Sequence, residues 1–424
     1  MPNTTTDPLP QPPLRLMIAG LAILFSLLLI VVSARVGFSR LLGKYAMLTD
    51  SIPAANEAVS LAPSDPEAHR ALAAVFNHLR LFDGAKNELE TATSLRPNDD
   101  YLWLELGNVK DELGDTKGAL DAFNEAVRFA PYYAHTNWQR GNLLLRMGRY
   151  PEAFADLRQA ALSNRDFLPN LIDLAWGLSR GDIKATEQLV QINDNRARIT
   201  LARFLARQGR AREAVDQFNL AAASASEENR LDLQRQLIDA RAFKEAFELW
   251  RGSTEAGNER TTIVYDGGFE GPLSFDEVVF GWRVPREQEG VSISLDGTQP
   301  HSGAHSLRIQ FNGNSNPSAS LISQTVVVEP QQRYRISFAV RTKDVVTGGL
   351  PSIYIRDAVS GQLLGSSIGF PQTTTSWQVL SFEFTTLEKT DAVILSLQRK
   401  SCNSNPCPVF GFVWLDSFSV VELD

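Results

Sequence analysis

The fold of this chain is decided by the stretch Asp100–Tyr133, DYLWLELGNVKDELGDTKGALDAFNEAVRFAPYY. Apolar residues recur in it at helical spacing in two runs, parted by Leu113-Gly114-Asp115, and the second run closes at Pro131. Proline has no N–H with which to continue a helix, so it ends the unit. The same features recur at one constant interval to either side. Pro63, Pro97 and Pro131 form one column, Ala85, Ala119 and Ala153 a second, and Ala92, Ala126 and Ala160 a third. Leu89, Phe123 and Leu157 fill a fourth, and Gly107 and Gly141 a fifth. One pair of antiparallel helices cannot bury its apolar faces alone. Stacked neighbours complete the core, with small residues where helices cross and large ones between the pairs.

This period, with Leu106-Gly107-Asn108, Leu113-Gly114-Asp115, Ala119, Phe123, Ala126 and Pro131 in order, resembles the tetratricopeptide repeat. Units 66–99, 100–133 and 134–167 are regular. Further on, Ala185, Ala214 and Ala246 continue the alanine column at spacings of 32, 29 and 32, behind the turns Gly181-Asp182, Gly209-Arg210 and Ala240-Arg241. The reading is an all-α solenoid of about six units over 63–250. Ala55, Ala58 and Pro63 read as a lone second helix at the end of a membrane-proximal stretch, 35–62. The resemblance implies a concave groove for a peptide or protein partner, lined by the first helix of each unit. Arg70, Asn77, Tyr101, Asn108, His135, Trp138, Asn142 and Arg146 fall on that side. Their amide, basic and aromatic groups suit a peptide backbone, an acidic group and an apolar anchor. Asn108 and Asn142 equally suit local helix packing, and Trp138 a purely packed position.

Ahead of the repeats, Leu16–Ala34 runs without a charge between Arg15 and Arg35. Such a helix is about 28 Å long, close to the ~30 Å hydrocarbon core of a bilayer. It has no polar face, so it reads as one transmembrane helix over 16–34 behind a disordered tail, 1–15. Val32-Ser33-Ala34 also offers small residues for signal-peptidase cleavage, although the apolar run exceeds the usual length of a signal core. Arg35, Arg40 and Lys44 after the helix favour a cytoplasmic C-terminal side by the positive-inside rule. The cysteine pair and the C-terminal domain favour the extracytoplasmic side, which is the expectation adopted. Only two cysteines occur, Cys402 and Cys407. With no second Cys or His cluster near, they read as a disulfide across a loop tip.

After a polar linker, 251–262, the apolar period changes from helical to two. Ser306–Phe311, Ser323–Val328, Tyr334–Val340, Ile353–Ile355, Val379–Phe384, Val393–Leu397 and Val413–Val420 alternate or run apolar between turn residues. Many short strands with no helices between them imply an all-β antiparallel sandwich over 263–424. Asp266–Glu270, Gly281-Trp282, Ser302-Gly303, His305–Leu307, Gln324–Val326, Tyr334, Ser337-Phe338, Trp377 and Leu415-Asp416 fall in an order similar to jelly-roll carbohydrate-binding modules, relatives of galactose-binding-like domains. The resemblance implies a polysaccharide ligand. It also implies a structural calcium ion at Glu270 and Asp416, with backbone oxygens near Ser302, and no cofactor required otherwise. Rings that lie flat on sugars would come from Trp282, Tyr354, Phe370 or Trp377. Trp282 and Trp377 match positions usually buried, and Trp414 is in phase with Phe418, which leaves Tyr354 and Phe370.

Net charge is −8, against a general nucleic-acid binder, which needs a basic excess for phosphates. Enzyme signatures are weak. Gly365–Gly369 spells G-x-S-x-G but lies between strands, where no strand-to-helix elbow forms. His301 and His305 share a loop with no obvious third ligand. Asp276 and Glu277 are adjacent, so on a strand they point apart and cannot flank one glycosidic bond. The expectation is a non-catalytic, membrane-anchored scaffold of the cell envelope.

Overall fold

The computed structural model describes residues 13–251, 263–275, 280–286, 288–317, 319–402 and 407–423. Most of the linker, and Asp276 and Glu277, lie outside them. The chain divides into two compact units, one ending at Ile192 and one beginning at Asn193.

Among the described residues the first unit runs from α1 to α10. Helix α1 (Pro13–Thr49) is continuous from the apolar segment into the first repeat. Its mean hydropathy reaches 2.4 over 18 residues, and Leu21, Leu24, Phe25 and Ile30 all stand exposed. Its C-terminal half packs on α2 (Ile52–Leu61), so that helix is not the lone element expected. Ser39, fully buried, donates its hydroxyl to Ala58 O at 2.6 Å. Ser39 lies one repeat length before Ala73 and two before Gly107. Position 39 therefore begins the small-residue column, and the apolar helix and the first helix of the stack are one rod.

Helices α3 (Pro66–His78) to α8 (Tyr150–Ser163) form the three regular hairpins. Asp65, Asp99 and Asp115 accept the free N–H groups at the starts of α3, α5 (Asp100–Glu112) and α6 (Thr116–Phe129). The six alanines of the two alanine columns have no exposed surface, and Leu89, Phe123 and Leu157 have almost none. A hydrogen-bond column runs at the same period. His69 Nε2, Trp103 Nε1 and Asn137 Nδ2 reach the carbonyls of Pro63, Pro97 and Pro131 at 3.0, 2.7 and 2.9 Å. Each ties the start of one unit to the proline that closes the previous one.

Helices α9 (Leu168–Leu178) and α10 (Ile183–Val190) complete this unit. Here the alanine column slips. Ala185 is half-buried, while Thr186, four positions after the Asp182 cap as Ala119 is after Asp115, has no exposed surface. Its hydroxyl is satisfied by Asp182 O and Ser179 Oγ, which lets threonine take the alanine place.

The second unit contains α11 (Asn195–Arg207) to α14 (Phe243–Arg251) and the β-domain. One sheet runs β1 (Ser274–Phe275), β2 (Arg283–Val284), β5 (Ile322–Val327), β10 (Ala392–Arg399), β7 (Pro351–Asp357), β8 (Leu363–Ser366). The other runs β3 (Val291–Asp296), β4 (Ser306–Asn314), β11 (Pro408–Leu423), β6 (Arg333–Thr347), β9 (Gln378–Thr385). All pairings are antiparallel except the short β1–β2 contact. Leu307, Ile309, Phe311, Phe338, Ile353, Ile355, Leu395, Leu397, Val413 and Leu415 fill the space between the sheets. Helix α14 is docked on this domain. Phe247 meets Phe280 edge-on at 5.1 Å, Trp250 meets Tyr265 at 4.8 Å, and Lys244 pairs with Glu329 at 2.7 Å. Cys402 and Cys407 form the expected disulfide.

Candidate functional site

In the antiparallel pairing of β4, β11 and β6, residues directly opposite share a face. Val413 and Leu415 point into the core, so Phe412 and Trp414 point outward, beside Gln310 and Lys343, and Arg308 and Arg341, respectively. Phe410, beyond a register shift, lies opposite Asn312 and Val346 and is about half exposed. Three aromatic residues thus occupy alternate positions of one strand on the outer sheet face: Phe410 exposed, Phe412 half-buried, and Trp414 covered, at 7% exposure. Ser292 and Ser294 extend that face on β3.

The rings are fixed in place. Phe412 and Trp414 lie 5.8 Å apart with planes inclined by 28°. The Arg308 guanidinium sits 4.9 Å from the Phe412 ring and that of Arg341 4.6 Å from Trp414, attractive placements for a cation on a π face. The Trp414 indole N–H donates to Asp296 Oδ2 at 2.8 Å. Burial pushes the Asp296 carboxyl up, but hydrogen bonds from Trp414 and Thr298 outweigh it and hold the group below its usual range. At the rim, Trp377 donates to Gln299 O, whose side chain accepts from Arg341 at 2.6 Å.

This face differs from the one the sequence suggested. Phe370 has no exposed surface and packs against Phe338 in the core, so it cannot meet a sugar. Tyr354 is half-buried on the outside of the opposite sheet, beside Arg356. Trp282 is core, against Phe269 and Phe418. Trp377, expected to be buried, is half-exposed. Trp414 is out of phase with Phe418 because a register shift separates Asp416 from Ser419, with Ser417 at φ 53°. That bulge turns Phe418 into the core and leaves Trp414 on the outer face of the sheet, buried there under Arg341.

Glu270 and Asp416 do come to one loop, 301–305, but it offers them N–H groups. Asp416 Oδ2 accepts from His301 N at 2.8 Å and Ser302 N at 3.1 Å, and Oδ1 from Ser417 N at 2.5 Å. Glu270 accepts from Ala304 N at 2.9 Å and His305 N at 3.2 Å. Calcium takes six to eight oxygens, whereas these oxygens are occupied by donors. Among the described residues no group of three His, Cys, Asp or Glu gathers. As placed, the set is a latch that joins the first and last segments of the sandwich through loop 301–305. Chelation is expected to leave the unfolding midpoint of the purified chain unmoved. Asp416→Asn, which turns an amide against two N–H donors, is expected to cost about 2 kcal/mol in denaturant titrations. A chelator-induced fall reversed by calcium would show that the latch is not the native arrangement.

On the helical side, the eight groove residues lie on α3, α5 and α7 (Ala134–Arg146). Several are engaged within the stack. Arg70 bonds Glu67 at 3.0 Å and Glu105 at 3.5 Å and covers the Tyr101 ring, which is about half exposed. Burial pushes the Glu105 carboxyl up against the pull of Arg70, whereas for Glu67 the bonds to Arg70 and Arg96 outweigh burial and lower it. Arg146 pairs with Asp111 across to α5, and Trp138 stacks on Phe167 at 4.8 Å. Asn77 and His135 are exposed, and Asn108 and Asn142 half-buried. Ser367 of the G-x-S-x-G string is buried and bonded to Ile368 O, and His301 Nδ1 to Ser417 Oγ. Neither offers a nucleophile–base pair.

Comparison with known proteins agrees with both parts. A family described as "Tetratricopeptide repeat" matches residues 79–134, and one described as "Carbohydrate binding domain" matches 261–405. The chain therefore carries tetratricopeptide repeats followed by a domain of the carbohydrate-binding kind, with one apolar N-terminal helix long enough to cross a membrane. Both are non-catalytic kinds of domain. The BBSome complex member BBS4 of Bos taurus is 32% identical over 117 residues, 28% of this chain and 22% of that protein. Protein FlbA of Caulobacter vibrioides is 31% identical over 101 residues, 24% and 17% of the two chains. The chain spans about a fifth of the length of these relatives. Among solved structures, YrrB, "a TPR protein with an unusual peptide-binding site", is 17% identical at a TM-score of 0.27, over 47% of this chain and 90% of that one. TmCBM61, solved with beta-1,4-galactotriose, is 17% identical at a TM-score of 0.28, over 38% and 99%.

Proposed function

We propose that this chain is a membrane-anchored, non-catalytic adaptor. On this reading its sandwich binds a polysaccharide across the outer face of the five-stranded sheet, and its repeat stack holds a protein partner on the extracytoplasmic side. The rings of Phe410 and Phe412, backed by the buried Trp414 and flanked by Arg308, Gln310 and Asn312, carry the reading. Aromatic faces stack on the C–H surfaces of pyranoses, and amide and guanidinium groups bond their hydroxyls. The continuous rod of α1 supports anchoring, since it joins the stack to the apolar segment without a flexible joint. The disulfide supports export, because such bonds persist in oxidising compartments.

The test is retention of the detergent-purified chain on a panel of immobilised polysaccharides. At least one polymer is expected to bind, and Phe412→Ala to weaken that binding ten-fold or more. Binding to none of a broad panel, with the partner set of residues 35–251 equal to that of the full chain, would leave a protein-only adaptor.

A further inference from the structure

The charge on the aromatic face is one-sided. Arg308, Arg341 and Lys343 project beside the rings from the strands on either side of β11. The carboxylate among them, Asp296, is committed to Trp414, Thr298 N and Thr298 Oγ1, and is held ionised by them. Asp344, in the bulge next to Lys343, is engaged by the Thr374 hydroxyl. Elsewhere on this sheet the pattern is different: Arg333 and Arg335 both pair with Glu383, at 2.8 and 2.7 Å. Arg308 and Arg341 spend hydrogen bonds only on the neutral amides Gln310 and Gln299. Lys343 is exposed, with no carboxylate partner among the described residues. Asp296 also feels Arg308, yet the three cations outnumber the two carboxylates, in contrast with a chain whose net charge is −8.

Resting on the glycan-binding reading above, we infer that the ligand of this face is an acidic polysaccharide, with sugar carboxylates bound by Arg308 and Arg341 beside the Phe410 and Phe412 rings. Arg308 and Arg341 flank Trp414 on the two neighbouring strands, two inter-strand spacings or about 10 Å apart. A chain laid across the strands meets one guanidinium on each side of β11. Each guanidinium lies over a ring and spends one N–H on an amide, Arg308 on Gln310 and Arg341 on Gln299, which leaves further N–H groups for a ligand. A guanidinium edge takes a carboxylate in two parallel hydrogen bonds. Neutral hydroxyl pairs are held well by free carboxylates, and this face has none to spare among the described residues. Lys343 adds long-range attraction as a point charge, so affinity falls with salt.

The experiment measures binding of the full chain in detergent to alginate, polygalacturonate and hyaluronan, each beside its carboxyl-reduced form. At least one acidic polymer is expected to bind ten-fold or more tightly than its reduced counterpart. The double variant Arg308→Gln/Arg341→Gln is expected to remove that difference. Arg308→Lys/Arg341→Lys keeps charge without the planar fork and is expected to retain part of it. Arg333→Gln/Arg335→Gln, on the same sheet away from the rings, is expected to change binding less than two-fold. Unfolding midpoints of all three variants serve as the folding control. Equal binding of acidic and reduced polymers, or equal loss in the Arg333/Arg335 variant, overturns the inference while the glycan-binding reading stands. If no polymer, acidic or neutral, binds in a Phe412-dependent way, both fall.

Discussion

Methionine in place of Arg399 is expected to destabilise the sandwich by about 4 kcal/mol, because several buried oxygen acceptors lose their charged donor together. Arg399 ends β10 and is almost wholly buried, yet no carboxylate pairs with it among the described residues. Its guanidinium is satisfied by oxygens instead: Gly349 O, Ser315 O, Ser315 Oγ, Thr347 Oγ1 and Cys407 O, at 2.8 to 3.3 Å. Those groups come from the segment after β4, the β6–β7 turn and the start of β11, so one side chain ties three chain segments at one end of the sandwich. Burial draws the guanidinium below its ordinary pKa without discharging it. Methionine fills much of the volume but leaves these acceptors buried and unpaired. Lysine, with three donors, is expected to lose about half as much. The disulfide beside it closes a short loop worth about 2 kcal/mol in the chain-entropy model. Reduction should therefore lower the thermal midpoint less than Arg399→Met, which is expected to shift it by roughly 10 °C. A midpoint within about 2 °C of wild type for the methionine variant would mean the hub carries little.

Residue identity made the repeats legible in sequence wherever one type serves one steric need. Alanine recurs at helix crossings because any larger group would separate the helices, so the columns at 85, 119 and 153 could be counted. The proline latch was hidden because histidine, tryptophan and asparagine each supply its donor. Thr186 was hidden behind Ala185 for a related reason: its hydroxyl is quenched locally, so a polar residue fills an apolar place. In the sandwich, strand alternation locates β4 to β7 and β9 to β11 but not β3, and it cannot assign faces beyond a bulge. Two register shifts in β11, between Phe410 and Phe412 and between Asp416 and Ser419, break the parity on which such assignment depends. That is why the shared outer face of Phe410, Phe412 and Trp414 is not legible, while Phe370 lies between β8 and β9, outside any strand, where alternation carries no information on burial. Arg399 was silent because its partners are mainly backbone carbonyls, which leave no mark in sequence.

The steric need behind the columns can be measured within one repeat. Gly107→Ala is expected to cost about 3 kcal/mol, although alanine is worth about 1 kcal/mol over glycine in a helix. A Cβ at 107 would lie 2.5 Å from two ring carbons of Phe123, whose side chain is buried and has nowhere to move. Phe123→Leu alone should cost about 1 kcal/mol through the space it leaves. Together the two changes should cost less than their sum, and less than Gly107→Ala alone, since the smaller side chain vacates the volume the new methyl needs. The chain already contains this combination: in the preceding unit the same two columns hold Ala73 and Leu89, both buried in one cluster. A coupling energy of about 1.5 kcal/mol or more in denaturant titrations of the four proteins is the expected result. Additive costs would mean that glycine is required at 107 by something other than the ring. The comparison with Ala73 and Leu89 would then have to be explained by backbone separation between helices, not by side-chain exchange at a fixed spacing.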